Sequence, residues 1–485
     1  MQSDEAEHSV TTANVTGPGV PARVPARFPA ARRPSLSLRL SVLVGAITAG
    51  VYTVFSAVQW RSFAAPSWDL GIFTQLAGRY ATLQAPIVPI KGEGYNLLGD
   101  HFHPLLMLLG PVYAVFPHAF TLVVVQNLLF GVAAAVVASA AARRLGPWPG
   151  ALFGLAFGLS WGLQGAVSVQ FHEVAFAVPL LALSLAAYLR ERWLACALWA
   201  LPLVFVKEDL GLTVFALGLV LAWRSRRPGG LWLAVWGLSW FALASFVVLP
   251  ALNPGGRWAY TSSMDLGGLL ADPLAVFQPE KNVTVLFLLL ASGLVALRSP
   301  LALVLLPTLA WRFLSDNHGY WGPGWQYSAV LMPILFCAAL DGIARLGHSP
   351  LPLSRRYSRV VVGVIVVVAA ALTPQLPLAR LASPATEFNT ERAADAGGAL
   401  AVIPDGALVE SDIGLMNYLV ERTTVYWLGN ENPVPDYLVV DHRAGGLPGE
   451  WDSVQTVGDV LHPDETFRTI YSAGGYEVAE RVPGG

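Results

Sequence analysis

A succession of eleven apolar segments separated by short polar breaks constrains this chain more than any other feature. The segments run at about 36–58, 119–142, 148–168, 174–189, 193–206, 210–223, 231–250, 283–297, 300–314, 326–344 and 359–373. An apolar helix of about 20 residues crosses a bilayer, and lipid offers the backbone no hydrogen-bond partners, so the longer segments read as membrane-spanning helices. Several are shorter than about 17 residues and are weaker as independent spans. Composition supports the same class. Hydrophobic residues make up 54% of the chain, charged residues 13%, and the mean hydropathy is +0.54, whereas a soluble domain carries roughly 25% charged residues. The fold class expected is therefore an α-helical polytopic membrane protein of about eleven spans.

The first apolar run, Leu36 to Val58, is followed by Gln59-Trp60-Arg61 rather than by a small-residue cleavage site, so it reads as an anchor. Residues 1–36 are rich in Pro, Ala and Arg and too poor in apolar side chains to form a core, which suggests a disordered tail. Arginines then set the orientation. Arg23 to Arg39, Arg143 and Arg144, Arg190 and Arg192, Arg224 to Arg227, Arg298, and Arg345 to Arg359 fall in alternate connections. They make seventeen basic residues, against seven in the opposite connections up to the last span. The positive-inside rule makes that face cytoplasmic, with the amino terminus inside and the carboxyl terminus outside. The membrane domain then covers 37–375, with an outer loop at 60–118. Within that loop, Leu105 to Phe116 is too short to cross and reads as a helix lying on or re-entering the outer surface.

After about residue 380 the pattern changes. Ala407 to Glu410, Thr424 to Leu428 and Tyr437 to Val440 read as strands between Pro and Gly turns, with a helix near Asp412 to Val420. Residues 385–485 suffice for a small extracytoplasmic α/β domain with its own core. Asp441, at the end of the third strand, reads as a turn cap or a ligand-facing acid. The net charge of -2 gives no pull toward nucleic acid. Cys196 and Cys337 both lie in apolar runs and say nothing of redox compartment.

Five breaks carry the residues capable of chemistry, and the orientation puts all five on the outer face. Asp69 follows the first span. Its carboxylate is a general-base candidate whose pKa low-dielectric surroundings would raise, or else the cap of a helix over Leu70 to Tyr80. Asp100, His101 and His103 precede Pro104, and Asp69, Asp100 and His103 are candidate ligands for a divalent metal ion, although the spacing matches no metal signature. His172 and Glu173 form the third break and make no zincin motif. Lys207-Glu208-Asp209 interrupts a long apolar stretch, where charges are costly and are functional or mutually paired. Lys207 suits a phosphate, with Glu208 or Asp209 positioning a hydroxyl or metal. Arg312 is a candidate clamp for a lipid phosphate and His318 a further binding residue. The nearby Trp311, Tyr320, Trp321 and Trp325 read first as an interfacial belt.

The stretches W-D-L-G-I-F-T-Q (68–75), D-H-F-H-P-L-L (100–106), F-H-E-V-A-F-A-V-P (171–179) and V-K-E-D-L (206–210) resemble a family of prokaryotic multi-pass proteins classed as a domain of unknown function. That family is similar to the type-C membrane glycosyltransferases. The resemblance implies a sugar donor carried on a polyprenyl phosphate and, with Asp69, Asp100 and Glu208 as catalytic candidates, transfer to an envelope acceptor. His101, His103, His172, Glu173, Lys207, Asp209, Arg312 and His318 become binding candidates. The first motif departs from several type-C enzymes in having Leu70 after Asp69 where they carry Glu. Expected partners are the lipid-linked sugar and membrane lipids. The alternatives are a transporter, which would be expected to show internal repeats, and a non-catalytic component of envelope assembly.

Overall fold

The computed structural model describes residues 35–64, 66–258, 278–383, 392–443 and 451–482. The expected tail lies outside the described residues as far as residue 34. Among the described residues, six helices are long and apolar enough to cross a membrane: Leu36–Arg61, Ala119–Leu145, Pro147–Ser168, Gly229–Leu252, Gln326–Gly347 and Pro352–Gln375. Four other expected spans form shorter apolar helices, Glu173–Tyr188, Trp193–Phe205, Leu210–Ser225 and Pro300–Leu314. The remaining one, 283–297, is divided. It forms helix Pro279–Ala291 and a separate 3-10 turn, Val295–Arg298.

Small residues let these helices approach closely, the usual means of packing where lipid removes the hydrophobic drive. A Cβ on Gly45 would meet the Gly131 carbonyl oxygen at 2.6 Å, and one on Gly237 would meet that of Gly211 at 2.5 Å. Burial separates inner from outer spans. In Gln326–Gly347, 83% of the apolar window is buried, so this helix is central, whereas Pro352–Gln375, at 11%, turns almost wholly outward.

The short run in the outer loop forms the turn Pro104–Leu108 and the helix Leu109–Val115. Gly110 lets this helix lie against helix Asp69–Ala81, since a Cβ there would come within 2.9 Å of the Tyr80 backbone. Met107, Leu108, Val115 and Phe116 stay exposed, as expected of a helix resting on a membrane surface.

The carboxyl-terminal layer holds a five-stranded sheet ordered β2-β1-β3-β5-β4. Its strands are β1 (Leu408–Ser411), β2 (Thr424–Trp427), β3 (Tyr437–Asp441), β4 (Phe467–Ala473) and β5 (Tyr476–Arg481). The three expected strands are the parallel ones, β2-β1-β3, and helix Ile413–Leu419 matches the expected helix. β5 joins antiparallel to β3 and β4. Gly474 and Gly475, at φ of 60° and 88°, make the two-residue β4–β5 turn that a side chain would strain. The layer only partly has its own core. Leu438, Val440, Val457 and Phe467 form a separate cluster, but Val409, Leu415, Met416 and Val439 belong to the same core as the spanning helices. From Leu36 onward the chain is one compact unit.

Candidate functional site

Ser67-Trp68 leads into helix Asp69–Ala81, and Asp69 is its first residue. Its N-cap residue is Trp68, which makes no side-chain capping bond, and the Ser67 hydroxyl accepts the Asp69 amide at 3.1 Å. The Asp69 carboxylate instead accepts the Ser67 hydroxyl at 2.6 Å and lies 3.4 Å from His172 Nε2, an ion-pair separation rather than an aligned hydrogen bond. The capping expectation is therefore corrected. So is the expectation of a raised pKa. Burial does push the carboxyl up, but His172, the Ser67 hydroxyl and Lys207 outweigh it and hold Asp69 at about 2.

The other breaks extend this pair into a network. Glu173, beside His172, accepts from Lys207 Nζ at 2.9 Å. Glu208 binds His101 Nδ1 at 2.8 Å and the Phe102 amide at 2.9 Å. Asp100 pairs with Lys91 at 3.2 Å, and the Lys91 ammonium sits 4.9 Å above the Trp68 ring. Burial would discharge Lys207, yet Glu173, Asp209 and Glu208 keep its pKa well above the ordinary lysine value. Burial likewise opposes charge on His101 and His172, and the acids beside them reverse it, raising both. Burial pushes His103 down to about 4, neutral at pH 7, and its Nδ1 has no hydrogen-bond partner among the described residues. Asp209 is the exception among the acids. Burial raises it to about 6 against the pull of Lys207, and its buried Oδ1 has no hydrogen-bond partner among the described residues.

Nine of the eleven candidates line one cavity of about 390 Å³: Asp69, Asp100, His101, His103, His172, Glu173, Lys207, Glu208 and Asp209. The other two do not line it. Arg312 is fully buried, and its guanidinium donates to the Tyr320 and Gly322 carbonyls and to the Ser328 hydroxyl at 2.7 to 3.0 Å. It fastens the 318–328 loop, so the expected lipid-phosphate clamp is corrected. His318 is exposed and stacks on Trp321 at 4.0 Å. Its break supplies Ser315, Asn317 and Tyr320 instead.

Asp69, Asp100 and His103, the expected metal ligands, do not make a ligand set of their own. Asp69 faces His172 and Asp100 faces Lys91, and no group of three or more His, Cys, Asp or Glu suited to a metal ion occurs among the described residues.

Sequence reasoning missed Lys91, Trp258 and Tyr327, and read Trp311 and Tyr320 as belt residues, although all five line the cavity. It also missed Asn417. This fully buried side chain accepts the Gly71 amide at 2.7 Å and donates to the Ser67 carbonyl and to Gln170 Oε1. It ties the carboxyl-terminal layer to the turn that presents Asp69. Gly71 makes room, since a Cβ there would stand 2.8 Å from Asn417 Oδ1. A buried Asn opposite a W-D-L-G motif is the only signal, and it is unreadable without the fold.

These features define a class: a multi-pass α-helical membrane protein whose polar breaks meet in one cavity beneath a small α/β layer. The chain belongs to the family described as predicted membrane protein (DUF2079), whose model matches residues 60–478. Its fold is similar to that of ArnT from Cupriavidus metallidurans bound to undecaprenyl phosphate. That similarity has a TM-score of 0.56 and 15% identity, covering 91% of this chain and 98% of that one. ArnT from the same organism in the apo state gives a TM-score of 0.48 at 15% identity, covering 92% and 98%. The expected type-C-like architecture is thereby borne out at the level of fold. No curated protein matches the chain.

Proposed function

We propose that this chain is a membrane glycosyltransferase that moves a sugar from a polyprenyl-phosphate donor to an acceptor of the cell envelope on the extracytoplasmic face. The observation that carries this reading is the convergence of five distant polar breaks in one cavity, within a fold similar to that of a protein crystallised with undecaprenyl phosphate. The cavity supplies what such a transfer needs. Lys207 and Lys91 offer positive charge to the donor phosphate. Trp311, Tyr320 and Tyr327 offer flat faces to a sugar ring, and the buried atoms Trp311 Nε1, His103 Nδ1 and Asp209 Oδ1 have no hydrogen-bond partner among the described residues.

In the reaction, the acceptor hydroxyl gives its proton to a carboxylate as its oxygen bonds to the anomeric carbon. The bond from that carbon to the phosphate oxygen breaks, the electron pair leaves with the phosphate, and Lys207 stabilises the charge that develops. A single in-line displacement of this kind inverts the anomeric carbon. Asp209 is the better proton acceptor, because its pKa near 6 lies close to working pH, whereas Asp69 at about 2 is a weak base. Asp69 instead holds His172 and orients the acceptor by accepting its hydrogen bond.

The test is to replace Asp69→Asn and, separately, Asp209→Asn in the producing cell, then profile envelope glycans and lipid-linked sugars. The reading expects one glycan to disappear and one lipid-linked sugar to accumulate. Wild-type profiles from both variants, at normal protein levels, sink it.

A further inference from the structure

A second cavity, of about 980 Å³, lies at the opposite end of the same helices. Helix Leu210–Ser225 joins the two: Asp209 borders the first cavity, and Arg224 and Arg226 border the second. Sixteen helical residues rise about 24 Å, most of the roughly 30 Å of a bilayer's hydrocarbon core. The second cavity is lined by Arg144, Arg224, Arg226, Arg298, Arg345 and a single acid, Asp341, with His348. Four separate segments bring these arginines together.

Three of the arginines are engaged. Arg224 pairs with Glu191 at 2.7 Å, Arg345 with Asp341 at 2.7 Å, and Arg144 donates to the Leu189 and Leu340 carbonyls. Arg226 and Arg298 make no ion pair or side-chain hydrogen bond among the described residues. Arginines gathered in one concave site repel one another, and such a site gains most from a multivalent anion that takes bidentate hydrogen bonds. The surroundings indicate the source of that anion. Trp223, Leu297 and Leu303 line the same cavity and are 60%, 64% and 48% exposed. A soluble anion has no use for this apolar border, whereas the acyl chains of a lipid would lie along it.

We propose that this cavity binds the phosphate headgroup of an anionic membrane lipid in the leaflet opposite the first cavity, with Arg226 and Arg298 as its principal contacts. Basic pockets between membrane helices take such headgroups. The cavity's volume is within the range that holds a ligand of this size.

The test uses the purified full-length chain exchanged into nanodiscs of equal parts phosphatidylglycerol, cardiolipin and phosphatidylcholine, with retained lipid read by native mass spectrometry. The wild type should retain the anionic lipids over phosphatidylcholine. The double variant Arg226→Gln, Arg298→Gln should lose that preference by about fivefold for each arginine removed. The control Arg355→Gln, Arg356→Gln removes two exposed arginines that do not line the cavity and should keep the preference. Three results would overturn the proposal: an unchanged preference in the double variant, an equal loss in the control, or displacement of the lipid by an equal concentration of inorganic phosphate. Should the double variant not purify, the two single variants give the same reading. The outcome is independent of whether the first cavity transfers sugars.

Discussion

At one end of helix Leu210–Ser225 the charged side chains facing the cavity stand in opposite-sign pairs, Asp209 excepted; at the other end Arg226 and Arg298 have no ion-pair partner among the described residues. Charge at the first end is held in place. Lys207, wedged against Glu173, keeps one position and one protonation state, which suits a group that must meet a reacting bond. At the second end charge is available but not aligned, which suits holding an anion and little else. On the functions proposed above, pairing separates a site arranged for chemistry from one arranged for attachment.

The largest effect that would test this contrast is on Asp209, the unpaired acid of the paired end. Asp209→Asn keeps the side-chain shape and removes the proposed proton acceptor, so transfer should fall about 10²- to 10⁴-fold. Because the carboxyl accepts a proton only when ionised, wild-type transfer should rise with pH through about 6. That rising limb should vanish in the variant, and a profile that keeps it would move the base to another residue.

Next in size is the paired end's own stability. Lys207→Ala strands the buried Glu173 carboxylate and should cost about 3–5 kcal/mol, read as a fall in Tm. Adding Glu173→Gln should restore most of the Tm but not the activity. A smaller loss, about 1–3 kcal/mol, is expected for Asn417→Ala, which leaves the buried Gly71 amide unsatisfied. Transfer should drop with it, since the turn presenting Asp69 loosens. The smallest effect belongs to the second end. Arg224 and Glu191 are both about half exposed or more, so solvent and salt screen their pair, and Arg224→Ala should shift Tm hardly at all. A large shift there would mean that the basic cavity supports the fold rather than a ligand.

Much of the architecture was legible because a bilayer imposes length and apolarity segment by segment. The six long helices, the short run after Pro104 and the three parallel strands all carry their signal locally. β4 and β5 were missed although Gly474-Gly475 marks their turn, because their alternation of apolar and polar residues is interrupted around Thr469 and Tyr471, where the register shifts. At the site, residue type singled out nine residues that the structure brings to one cavity, since charges in apolar sequence are costly without a purpose. It failed for Arg312, because an arginine that binds backbone carbonyls and one that binds a phosphate look the same in sequence.

The sequence by itself determined that the chain crosses a membrane many times, and which breaks hold its charge, since both follow from the free energy of placing each residue in lipid. Only the tertiary structure decided the partners: Glu208 with His101, Glu173 with Lys207, Asn417 with Gly71. Those contacts join segments up to 346 residues apart. They fix which acid is held ionised far below neutral pH, as Asp69 is, and which titrates near 6, as Asp209 does, because a carboxyl's pKa depends on the charges within a few ångströms, and no local pattern records them.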